Sequence, residues 1–271
     1  MKKLISLEGR LEMDIGSLLG IIVGFGMLLL AFFEEGGSPG ALLSVTSIMI
    51  VFGGTIGAVV LSFPVKTLKK VPDSFKKVFI TKKSSIPDLI IYFKEVSTLT
   101  RRNGLLSLEG ELGKEEVDQF IKDGLQMVAD GFEPDLIKDI LETKIQGMID
   151  KNKEGIHIFD AAGGFSPTMG IIGTVMGLVN VLSNLADPES LGPKIATAFI
   201  ATLYGVAFAN LLWLPIGSRL KALNEQDVLE KEVMLQGILM IQNGVNPNSI
   251  VAKLSSFVEE GMEDESKKEV E

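Results

Sequence analysis

Two threonines inside the long apolar stretches of this chain are the residues whose placement suggests chemistry. Thr174 lies in FSPTMGIIGTVMGLVNVLSNL and Thr202 in KIATAFIATLYGVAFANLLWLPIGSRL, and the apolar part of neither run holds an Asp, Glu, Lys, Arg or His. A hydroxyl there can bond its own helix's backbone, or it can lend an oxygen to a hard cation or its water. The remaining chemistry is thin. With no cysteine and one histidine, His157, disulfides, zinc clusters and Cys- or Ser–His nucleophiles have almost nothing to work with. His157, close to Asp160, reads as a satisfied interfacial residue with no role. No enzyme is expected, and no cofactor or metal.

Small residues surround both threonines. On a helix, Gly170, Gly173, Thr174, Gly177 and Val181 share one face, and Ala198, Ala201, Thr202, Gly205 and Ala209 share another. Two readings stand: close helix packing, or a narrow polar lining with Thr174 and Thr202 facing an ion. Ionisable groups within a membrane mark ion routes. If this chain serves ion flow, the titrating carboxylate must come from another chain's span, against which the small-residue seams would pack. Pro167 and Pro215 should lie at the same membrane face. Each reads either as an ordinary structural proline or as a kink that removes a backbone hydrogen bond.

The elements that hold these residues are membrane spans. The chain has 271 residues, 46% of them hydrophobic, and its mean hydropathy of +0.33 comes from long apolar blocks. A net charge of −9 makes nucleic acid an unlikely partner class. Two further spans are expected at about 15–33, with Gly16, Gly20 and Gly24 at four-residue spacing, and at 41–63, ending before Pro64. The fold class is therefore all-α: a lipid-embedded protein with four transmembrane helices and a helical domain between spans two and three. Cations flank one side: Lys2, Lys3, Arg10, Lys66, Lys69, Lys70, Lys151, Lys153, Arg219 and Lys221. The inter-span turns carry Glu34, Glu35, Asp187 and Glu189 against Lys194 alone. That asymmetry predicts both termini in the cytoplasm.

The organisation expected is an N-terminal extension (1–12), spans one and two (13–63), a cytoplasmic domain (64–160), spans three and four (161–220) and a cytoplasmic tail (221–271). In the domain, Leu89, Ile90, Phe93, Val96 and Leu99 recur at helical spacing, and Glu133-Pro134-Asp135 opens a helix that could run on into span three. The tail's acidic end reads as disordered. Arg101-Arg102-Asn103-Gly104-Leu105-Leu106-Ser107-Leu108-Glu109 reads locally as a helix end with solvated arginines, a glycine stop and a new helix start.

That RRNGLLSLE stretch, with MDIGSLLGIIVGFG, GGTIGA, SPTMGIIGTVMGLV and ATLYGVAFANLLWLPI in order, resembles the MotA family of flagellar motor stator subunits over about residues 13–255. The resemblance implies a ring of five chains around two MotB-type partners, each with a single span carrying an aspartate and an anchor to peptidoglycan. It implies ion-driven rotation that acts on the rotor protein FliG through Arg101 and Glu109, with the adjacent Arg102 the alternative for the working arginine. Pro167 and Pro215 would couple ion passage to conformation, and Thr174 and Thr202 would line the ion site. The transported ion is expected to be H+, with Na+ the alternative that two hydroxyls would suit. An ExbB- or TolQ-like energiser and a secondary transporter are the competing readings. The first lacks the RRNGLLSLE stretch, and the second needs a midplane substrate site.

Overall fold

A computed structural model describes residues 11–82, 86–186 and 188–257. Apart from two three-residue strands, Leu11–Met13 and Ile80–Lys82, paired with each other, the ordered elements are helical, as the all-α expectation requires. Four helices are long and apolar enough to cross a membrane: Ile15–Glu34, Val45–Ser62, Pro134–Leu182 and Leu191–Gln242. Among the described residues the chain divides into two compact units, Met13–Thr81 with Asn152–Ala222, and 11–12 with Lys82–Lys151 and 223–257.

In the first unit, span one begins where Asp14 caps it. The Gly16 N–H donates to Asp14 Oδ1 at 3.1 Å and the Ser17 hydroxyl to Oδ2 at 2.7 Å, satisfying donors that a helix start leaves unpaired. None of the span's side chains is buried, which suits a helix that faces lipid. Span two is capped by Ser44, which accepts from Ser47 N at 3.2 Å. It ends at Phe63, whose backbone is extended because the ring of Pro64 excludes the helical region for the residue before it. Spans two and four each contain a π-helical turn, Met49–Gly53 and Ala209–Trp213. The second has a physical cause in Pro215. A proline ring inside a helix collides with the carbonyl one turn back, and a widened turn makes room for it. Pro167 sits inside the continuous helix Pro134–Leu182, so the expected run from Pro134 into span three is observed.

Span three meets span four along the small residues. A Cβ on Gly170 would lie 2.9 Å from the Ala201 carbonyl oxygen, and one on Gly205 2.7 Å from the Ser166 carbonyl oxygen. One on Gly177 would lie 2.5 Å from Ala198 Cβ. The two backbones touch, and only glycine permits that. The expectation that these seams wait for another chain's span is corrected here: within this chain they fill each other. Span two meets span four through side chains instead, where Phe52 packs edge-on against Phe208 with ring centres 4.6 Å apart.

The second unit has a water-soluble protein's core. Leu89, Ile90 and Phe93 on Ile86–Asn103, Ile121 and Leu125 on Gln119–Ala129, Ile137 and Leu141 on the long helix, and Met234 and Ile238 on Leu214–Gln242 are all buried. Ile250 and Leu254 on Pro247–Ser255 complete it. Within the stretch expected to be a cytoplasmic tail, residues 223–257 form one side of this core. Gly237 lets the last long helix lie on the Phe93 ring, where a Cβ would come within 2.5 Å. The acidic end expected to be disordered, and most of the N-terminal extension, lie outside the described residues.

Candidate functional site

Thr174 and Thr202 come together across the contact of spans three and four. Their hydroxyls are hydrogen-bonded to each other. Thr174 Oγ1 is also 3.2 Å from the Gly170 carbonyl and 2.9 Å from the Ala198 carbonyl. Thr202 Oγ1 lies 3.4 Å from the same Gly170 oxygen. Four oxygens thus converge with two hydroxyl protons among them, so lone pairs outnumber donors. Both side chains are half-buried. The arrangement realises the packing reading, because Thr174 bonds its own helix as well as its neighbour. It also leaves acceptor capacity for a water or a hard cation.

About two turns before Thr174, the Ser166 hydroxyl donates to the Gly205 carbonyl at 3.0 Å and is fully buried. Pro167 follows it, half-buried, whereas Pro215 is exposed. Pro215 lines a cavity of about 230 Å³ with Ser17, Ile21, Val78, Ile216 and Arg219. Beside this cavity is a pair that sequence reasoning missed. Arg219 Nη2 lies 2.6 Å from Asp14 Oδ2, joining the start of span one to the end of span four. The Ser17 hydrogen bond holds the Asp14 carboxyl below its usual range; partial burial opposes this, and Arg219 adds to it. An Asp placed directly before an apolar run signals a cap, but nothing in the sequence names its cation.

Arg101 and Glu109 lie in the other unit, both exposed. The helix Ile86–Asn103 stops at Gly104, whose φ of +79° only glycine adopts without strain. Its N–H closes the helix on the Thr100 carbonyl at 2.8 Å. A single 3-10 turn, Leu105–Leu108, then leads into Glu109–Leu112. The expected helix end, glycine stop and new start are all present. Leu108 anchors the turn in the core, and the Ser107 hydroxyl ties back to the Gly104 carbonyl at 2.6 Å. Behind the loop, Glu111 is buried and paired with Lys114 at 2.7 Å. The Tyr92 phenol beside it is pushed up, first by burial and then by the Glu111 charge.

Two family models match in succession: Motility protein A N-terminal over residues 18–104, and the MotA/TolQ/ExbB proton channel family over 113–233. Motility protein A of Bacillus subtilis (strain 168) is 40% identical over 248 residues, covering 91% of each chain. The chain belongs to the motility protein A family. Another relative, the chemotaxis protein PomA of Vibrio alginolyticus, is 35% identical over 92% of this chain and 97% of its own. Among solved structures, the flagellar MotAB stator complex from Bacillus subtilis matches with a TM-score of 0.85 at 39% identity, over 91% of this chain and 97% of that one. C. jejuni MotAB matches with a TM-score of 0.87 at 30% identity, over 92% and 97%. The chain is a membrane-embedded stator subunit of the flagellar motor. The energiser and transporter alternatives are not favoured by these relatives.

Proposed function

We propose that this chain works with a single-span, peptidoglycan-binding partner of the MotB type, and that ion passage at the partner's intramembrane aspartate turns a ring of five copies. The observation that carries the reading is the four-oxygen cluster of Thr174, Thr202, Gly170 and Ala198, set in apolar stretches that hold no Asp, Glu, Lys, Arg or His of their own. Such a cluster can pass an ion along or hold its water, but it cannot release a proton, so the carboxylate is supplied from outside. The cations flanking the spans favour both termini and the unit with Arg101 and Glu109 on the cytoplasmic side. There the two charges act on FliG. Pro167 and Pro215, at the ends of spans three and four, couple ion passage to that movement.

The ion proposed is H+. Sodium is the second reading, and the cluster favours it to the extent that hydroxyl and carbonyl oxygens suit a hard cation. Swimming speed at fixed pH across a sodium series decides between them: independence from sodium supports protons, and proportionality overturns that choice. For the torque assignment, Arg101→Glu is expected to abolish motility while the complex still assembles. Full swimming at native expression would overturn it. Liposomes holding this chain alone are expected to pass no ions, and robust flux from them would remove the need for the partner's carboxylate.

A further inference from the structure

Between Arg101 and Glu109 the loop carries an apolar side chain with nothing on it. Leu106 is 75% exposed, and its neighbour Leu105 is 40% exposed, while Leu108 is fully buried. A 3-10 helix has three residues per turn, so side chains three apart eclipse. Leu105 therefore lies over Leu108, on the edge turned to the core. Leu106 lies over Glu109, on the outward edge. The turn is held at both ends: Gly104 N–H on Thr100 O, Ser107 Oγ on Gly104 O, and Leu108 in the core. Leu106 is thus presented on a fixed platform, and a contact made there loses little further conformational freedom.

We propose that Leu106 is an apolar anchor of the torque contact. It would seat in a recess of a protein surface that offers a carboxylate to Arg101 and Arg102 on one side and a cation to Glu109 on the other. This rests on the reading that the loop meets the rotor. The charge pattern on the page favours that occupant, since two arginines and a glutamate bracket one leucine and a mixed-charge surface with an apolar centre complements all of them. Charges at such a rim steer and orient, whereas a desolvated apolar centre sets how long the contact lasts. One loop is a small patch, which suits a contact made and released repeatedly.

The test uses full-length chain coexpressed with its single-span partner in motile cells, with fluorescently labelled stators counted at single motors. Leu106→Ala is expected to shorten stator dwell time about tenfold, the scale of losing most of one buried leucine's transfer free energy. Leu106→Met should stay within about twofold of the parent, because it restores apolar volume. Parent-like dwell and torque for Leu106→Ala, alongside immobile Arg101→Glu cells, would overturn the anchor and leave the rotor contact standing. Free swimming by both variants would overturn the rotor contact and the anchor with it. If purified Leu106→Ala complex changes its oligomeric state, the leucine is a contact between copies, and the proposal fails on that ground.

Discussion

The two units solve the same packing problem with opposite residues. The unit of Lys82–Lys151 and residues from Leu223 buries large side chains, with Phe93, Leu125, Met234 and Ile238 in one core and charges outside. The spanning unit exposes its large side chains, Leu61 at 90% and Phe199 at 64%, and brings helices together through glycine and alanine. Water makes the difference. Where it is the solvent, burying apolar area drives association. Where lipid is the solvent that gain vanishes, and only close approach, dispersion and hydrogen bonds remain. The comparison teaches which way each unit is fragile: one to the loss of volume, the other to its addition.

The largest effect is expected from adding volume at the seam. In Gly205→Val the new atoms meet the Ser166 carbonyl and the Gly170 Cα, both backbone, and backbone cannot turn aside. No assembled complex and no motility are expected, read as membrane yield and swarming; a normally swimming variant would break the contrast. Next, Phe93→Ala should destabilise the core unit by about 3–5 kcal/mol, measured by denaturation of the detergent-purified protein. At Gly147 a Cβ would meet nothing within 4 Å. Gly147→Ala should therefore raise stability by up to about 1 kcal/mol, the opposite sign to Gly205 for the same kind of change.

The smallest effect is electrostatic. Lys144 Nζ lies 2.6 Å from Asp123 Oδ2, partly exposed. Burial raises the Asp123 carboxyl, but hydrogen bonds from Lys144 and Gln119 and the Lys144 charge outweigh it, and the net direction is downward. A carboxyl lowered on folding stabilises above its unfolded pKa, near 4, and that contribution is lost as pH falls through the lower folded value. Lys144→Ala should cost under about 1 kcal/mol at neutral pH and less still in acid. A cost undiminished in acid would assign the effect to packing.

Much of this was readable from residue order. Apolar length alone located span one at Ile15 and its end near Phe33, and Gly104 announced a helix stop that its positive φ confirms. What stayed hidden has physical reasons. Small residues at four-residue spacing say that something approaches closely, but not what; Gly170 and Gly205 meet each other, not another chain. Val233, Met234, Ile238 and Ile241 recur at helical spacing, yet the charges that precede them, from Lys221 to Glu232, made a core helix read as a tail. The π-helical turns have no pattern of their own, and Pro215 gives a reason for only one of them.

The crossing of Gly170 on Gly205 has a mechanical consequence. Between most packed helices a layer of side chains can change rotamer and absorb a displacement. Here there is no such cushion, because main chain bears directly on main chain and the Ser166 hydroxyl pins the joint to the Gly205 carbonyl. Spans three and four are stiff against one another at this level, like two struts bolted at one point. A push on either is passed to the other undamped, and the two threonine hydroxyls one turn away keep their distance while it passes.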